Sequence, residues 1–181
     1  MFTFEPGGRL WWYVARMALA AIAGALIVST IAQPLFGTHD PRVDMLESNF
    51  LLAAFGMVVV APPIETMLMA LFFGIATFFS GNVRRLAVVS CVFWGLLHLV
   101  NSPVNALGVV WPFYIMSRAY LAWRPRGFWK AVGTTTLIHA AINALAMVIA
   151  GIALALDGPS TSELPPMPEQ TGIVQYTQYV P

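Results

Sequence analysis

The sequence predicts an all-α integral membrane protein, a bundle of about five to six transmembrane helices. Three observations predict it. Of 181 residues, 59% are hydrophobic and only 9% are charged, whereas a soluble domain carries about 25% charged residues. Apolar runs of the length a bilayer demands, about 20 residues, recur along the chain. Short stretches rich in Pro, Gly, Asn and Arg separate those runs, as turns between helices require.

The first run covers residues 10–33 and ends at Pro34. It is too long for the core of a cleavable signal and has no convincing cleavage site, so it reads as a transmembrane helix that stays. A polar loop with His39, Asp40, Pro41, Arg42, Asp44 and Glu47 follows; His39 reads as a solvated loop residue. The second run, residues 50–80, is long for one span. Pro62-Pro63 interrupts it, and proline removes a helical hydrogen bond and crowds the preceding turn. The expectation is an entry piece to about residue 61, a break, then a helix to residue 80. Gly81-Asn82 makes the next turn. Residues 84–100 form the third run, closed by Asn101-Ser102-Pro103. Residues 105–123 form the fourth, bent near Pro112. Arg124-Pro125-Arg126-Gly127 turns the chain into the fifth run, residues 128–156. These elements make one membrane-embedded domain over residues 1–156. Residues 157–181 carry Pro159, Pro165, Pro166 and Pro168 among Ser, Thr and Glu and read as a solvent-exposed tail.

Charge orients the bundle. With a cytoplasmic amino terminus, five spans put Arg9, Arg16, Arg84, Arg85, Arg118, Arg124, Arg126 and Lys130 at the cytoplasmic face, and only Arg42 of the nine basic residues outside. A net charge of +1 gives no reason to expect nucleic acid as a partner; membrane lipid is the expected surrounding. The single cysteine, Cys91, excludes an internal disulfide and any multi-cysteine metal site. It reads as a small buried hydrophobe.

Four polar residues interrupt the apolar runs: Glu65, His98, His139 and Asn143. An ionisable side chain at mid-membrane costs roughly 2.5–3.5 kcal/mol on the insertion scale, so each is a candidate functional group. Their heights agree. Counted from the Gly81-Asn82 turn at about 1.5 Å per residue, Glu65 and His98 both stand roughly 21–23 Å up. His139 stands about 17 Å and Asn143 about 23 Å above the start of the fifth run. Three helices therefore bring the four side chains to one layer. His139 and Asn143, four apart, share a helix face.

The stretch from about residue 61 to 147 resembles the CPBP family, the CAAX-processing and bacteriocin-processing intramembrane proteases. That family carries Glu-Glu-x-x-x-Arg, then Phe-x-x-x-His, then His-x-x-x-Asn or Asp, each on its own membrane helix. Pro63-Ile64-Glu65-Thr66 looks like the first motif, Trp94-Gly95-Leu96-Leu97-His98 like the second with Trp at the aromatic position, and His139-Ala140-Ala141-Ile142-Asn143 fits the third. Thr66 stands where the family has its second Glu, and Ala70 where it has Arg.

The resemblance implies a glutamic intramembrane endopeptidase of a bacterial inner membrane, acting without a cofactor on a membrane-associated or secreted peptide or protein. Glu65 is then the residue that activates water. His98 orients that water, and His139 and Asn143 donate to the oxyanion. Such donors in a dry site are worth roughly 2.7–4 kcal/mol each. Two His and one Glu also match a zinc set with an open fourth position. No His-Glu-x-x-His pair exists, however, and a ligating Glu65 would leave no base. The alternative reading is an inactive family member that binds a partner in the membrane, in regulation or immunity.

Overall fold

The structure, a computed structural model, describes residues 3–37 and 48–157. The expectations for His39 and for the Pro-rich tail lie outside the described residues. The described residues contain five long helices: α1 (Leu10–Phe36), α2 (Phe50–Ala76), α3 (Val83–His98), α4 (Pro103–Trp123) and α5 (Phe128–Asp157). It is an all-α membrane protein. Three helices are long and apolar enough to cross a bilayer: α1, α2 and residues Phe128–Leu156 of α5, with mean hydropathies of 2.0, 1.9 and 2.2. At 16 residues, α3 rises only about 24 Å, short of the roughly 30 Å of a hydrocarbon core.

Local chemistry sets the helix ends. The Asn82 side chain accepts from the Arg85 N–H and starts α3. Ser102 does the same for α4 through the Asn105 N–H, with Pro103 in the first turn, where its missing N–H costs nothing. Gly37 at φ 83° ends α1, and Gly127 at φ 126° separates the short 3-10 turn Arg124–Arg126 from α5. Both are backbone states that favour glycine. Pro34 does not stop α1, which runs two residues further to Phe36.

The break expected at Pro62-Pro63 takes another form. The helix continues through both prolines, and the irregularity falls one turn earlier, as a π-helical stretch at Gly56–Val60. The Ala61 N–H bonds to the Gly56 carbonyl, five residues back. The wider turn gives the two pyrrolidine rings room that an α-helical turn denies them.

α4 is the centre of the bundle. It packs on α1, α3 and α5, and ten of its 21 residues are buried, over roughly half of its circumference. α2 leans mainly on α5 and meets α3 sparsely, and α1 packs chiefly on α4 and α5. Stacked rings form the core: Trp94 on Phe113 (4.8 Å between centroids) and Phe73 on Tyr120 (5.3 Å). The buried Ser90 and Ser117 hydroxyls bond across α3 and α4 at 2.9 Å. Small residues let the backbones approach, as membrane helices require. A Cβ on Gly24 of α1 would run into the Trp111 indole of α4, whose Nε1 donates to the Ala20 carbonyl at 2.9 Å. Gly24→Leu should therefore lower stability by about 1–3 kcal/mol through overpacking. Denaturant unfolding in detergent measures this, and an unchanged midpoint would mean that α1 is not seated on α4.

All eight described basic residues gather at or near one end of the bundle, where α1 and α5 begin and α2 and α4 finish. The amino-terminal segment is strapped across that end. Arg16 donates to the Thr3 carbonyl (3.0 Å), Tyr13 to that of Phe4 (2.9 Å) and Arg126 to that of Pro6 (2.8 Å). The Arg118 guanidinium lies 4.5 Å over the Phe4 ring. Exposed Trp11, Trp12 and Trp129 stand at the same level, the pairing of indoles and cations found at a membrane interface.

Candidate active site

Four helices each turn a helically spaced stripe toward one cavity of about 510 Å³. α1 contributes Ile22, Leu26, Ser29 and Gln33; α2 contributes Met57, Ala61 and Glu65. From α4 come Asn105, Gly108, Pro112 and Phe113, and from α5 His139, Asn143 and Ala146. His98, at the end of α3, and the following turn complete the wall.

The four candidate residues line this one cavity. Glu65 Oε2 lies 3.8 Å from His139 Nε2, with the His139 side chain 8% and the Glu65 side chain 26% exposed. The separation is too long for a direct hydrogen bond, and a polar pair at that distance invites a bridging water. Glu65 Oε2 is itself buried and has no hydrogen-bond partner among the described residues. A buried carboxyl oxygen left so is costly unless its chemistry is used.

His98 Nδ1 lies 2.9 Å from the Trp94 carbonyl, one turn back on α3. A carbonyl only accepts, so Nδ1 carries the proton and Nε2 is the acceptor of the neutral ring. Phe113 contacts both imidazoles, 5.4 Å from His98 and 5.9 Å from His139 between ring centroids.

Asn143 has a partner that follows from the prolines. An α-helix would pair the Met57 carbonyl with the Ala61 N–H, but that N–H serves Gly56. The next candidate donor, residue 62, is proline and has none. The Asn143 Nδ2 supplies the missing donor at 2.6 Å. One amide hydrogen of Asn143 is thus committed to holding α2 against α5, one helical turn from His139. The expectation that Asn143 donates to an oxyanion then rests on the amide's other hydrogen.

Thr66 and Ala70, at the positions where the family motif has Glu and Arg, are 1% and 5% exposed and point into the core. Several lining residues carry no motif: Phe113, Ser29, Gln33 and Asn105. Their one signal is a polar or aromatic side chain recurring at helical spacing inside an apolar run. Among the described residues no three His, Cys, Asp or Glu side chains are grouped to hold a metal ion. Comparison of the chain with protein-family models, curated proteins and solved structures gives no match.

Proposed function

We propose that the chain is an intramembrane peptidase that hydrolyses a peptide bond of a membrane-associated or secreted substrate. The observation that carries this reading is the buried, unpartnered Glu65 carboxyl oxygen 3.8 Å from His139 in a cavity within the bundle. The ordered motifs around Glu65, His98 and His139 support the same class by resemblance.

The chemistry follows from donor and acceptor roles. A water held in the cavity gives one hydrogen to Glu65 and the other to His98 Nε2, which leaves an oxygen lone pair for the scissile carbonyl. Glu65 takes the proton as the C–O bond forms. His139, as its Nε2–H tautomer, donates to the developing oxyanion. Collapse breaks the C–N bond, and the proton held by Glu65 passes to the leaving amine. The products are one acid and one amine, with Glu65 again a carboxylate.

The basic end with its indoles supports an amino terminus on the cytoplasmic side, and the site then lies in the outer half of the bilayer. We place the protein in a bacterial inner membrane on the same grounds as the family resemblance.

One observation favours the inactive, partner-binding reading. Thr66 and Ala70 are core packing positions that bring neither a second carboxyl nor a guanidinium beside Glu65. Turnover of quenched-fluorescence membrane peptides by the purified chain decides between them. His139→Ala should reduce turnover about 10²–10³-fold, the usual effect of losing one oxyanion donor. A binding-only protein would give no turnover to lose and would keep its ligand after this change.

A further inference from the structure

The reacting groups stand at one end of the cavity. Toward the basic end of the bundle, the last lining residue of α2 is Glu65 and that of α5 is His139. On α1 the last is Ile22, and on α4 it is Met116. About one turn further on, Met17, Met69, Ala119 and Thr135 are fully buried, so close packing shuts the cavity there. The blind end thus takes its acid and imidazole from α2 and α5 and its apolar side chains from α1 and α4.

Contacts between α1 and α4 set the level of those apolar side chains. The Tyr13 and Trp123 rings meet at 5.5 Å, and one pitch-length series above them Trp111 bonds to the Ala20 carbonyl. Counted from the Tyr13–Trp123 contact at about 1.5 Å per residue, Met116 stands about 11 Å up, Ile22 about 14 Å, Phe113 about 15 Å and Ala25 about 18 Å. The Phe113 ring touches the His139 ring. Ile22, Ala25 and Met116 therefore lie within about one helical turn of His139 in height. Ile22, Ala25 and Leu26 share one face of α1, as helical spacing requires. Ala25 puts only a methyl group into this face between two larger side chains. Met116 is unbranched and adapts its shape to what it meets.

A peptide bond brought to Glu65 and His139 carries its own side chains to the same blind end. We infer that Ile22, Ala25 and Met116 form a recess for an aliphatic side chain of a residue at the scissile bond. The substrate is then a peptide cut beside a residue of Leu or Met size. This rests on the hydrolase reading, and it makes the three residues determinants of specificity, while Glu65 supplies the chemistry. A side chain entering the recess exchanges water for apolar contact, which favours larger aliphatic groups until the space is full.

The test uses the full chain in nanodiscs and short, water-soluble quenched-fluorescence peptides. Gly, Ala, Leu or Phe is placed at either residue of the central bond, with Gly and Ser elsewhere. At one of the two positions, Leu should exceed Ala in kcat/KM by about tenfold or more, the discrimination an apolar pocket supplies for a few methylenes. Ala25→Leu narrows the recess and should cut the Leu-to-Ala ratio by about fivefold or more. Ile22→Ala widens it and should raise Phe relative to Leu by a similar factor. Each ratio comes from one preparation, so the folded fraction cancels, and general damage to the bundle does not move the two ratios in opposite senses. A flat profile at both positions, or ratios unchanged in both variants while Glu65→Gln still abolishes turnover, overturns the recess and leaves the hydrolase standing. If the wild-type chain cleaves no peptide, competition binding reads the same series. Tighter binding of the Leu peptide that Ala25→Leu erases then keeps the recess and overturns the hydrolase, and equal binding of all the peptides overturns both.

Discussion

Glu65→Gln should lower peptide hydrolysis about 10²–10⁴-fold, the contribution usual for a positioned general base, while the protein stays folded. The two side chains have the same shape, so the cavity keeps its form. Gln cannot take a proton from water, and the step that makes the nucleophile is lost. Stability should be unchanged or higher, because the substitution replaces a buried carboxyl oxygen that has no partner among the described residues by a neutral amide. Glu65→Asp adds a second reading. It keeps the base but withdraws it by one methylene from a partner already 3.8 Å away, so activity should fall between wild type and Glu65→Gln. The measurement is single-turnover cleavage alongside thermal unfolding in detergent. A Glu65→Gln protein that cleaves within threefold of wild type would falsify the assignment of Glu65 as the base.

The second large effect concerns Asn143. Asn143→Ala removes the donor to the Met57 carbonyl. Neither Ala61, bonded to Gly56, nor Pro62 can replace it. The expected cost is about 1–2 kcal/mol, the upper range for an interhelical hydrogen bond in a membrane protein. Hydrolysis should also fall, because α2 carries Glu65 and is held to α5 near this point. A second substitution makes the claim specific. Pro62→Ala restores an N–H within reach of the freed carbonyl, five residues back in the π-helical stretch. It should recover part of the stability lost in Asn143→Ala. A double-mutant cycle measures the coupling. Purely additive losses would mean that the amide acts elsewhere, and the oxyanion role would then be its main one.

The residues around Glu65 show why some features could be read from the chain and others not. Helix number and approximate ends follow from apolar run length and from Gly81-Asn82, Ser102-Pro103 and residues 124–127, all of which act locally. The common height of Glu65, His98 and His139 needs only the rise per residue and short turns. The prolines at 62 and 63 announced an irregular helix, but a break and a π-helical turn answer the same local conflict. The choice between them depends on whether a neighbour can supply the missing donor, and that neighbour, Asn143, is 86 residues from Met57.

Rotation about each helix axis is the part that sequence carries poorly here. In water, an apolar stripe marks the buried face. In a bilayer both faces are apolar, and the stripe disappears. Phe73 is 2% exposed and Phe79 is 85% exposed, yet they are the same residue type a few positions apart. α4 is apolar nearly all round, and nothing local says that it is the hub on which α1, α3 and α5 pack.

By itself, then, the sequence determined a helical membrane protein with an acid and two imidazoles at one depth. Helical rise and desolvation cost act on every residue regardless of its neighbours. Only the tertiary structure decided that Phe113 contacts both imidazoles, that Asn143 closes the α2 backbone, and that Gln33, Asn101 and Asn105 line one cavity with Glu65. Those facts depend on helix rotation, which close packing of small residues such as Gly24 and Gly108 sets through contacts distant in sequence.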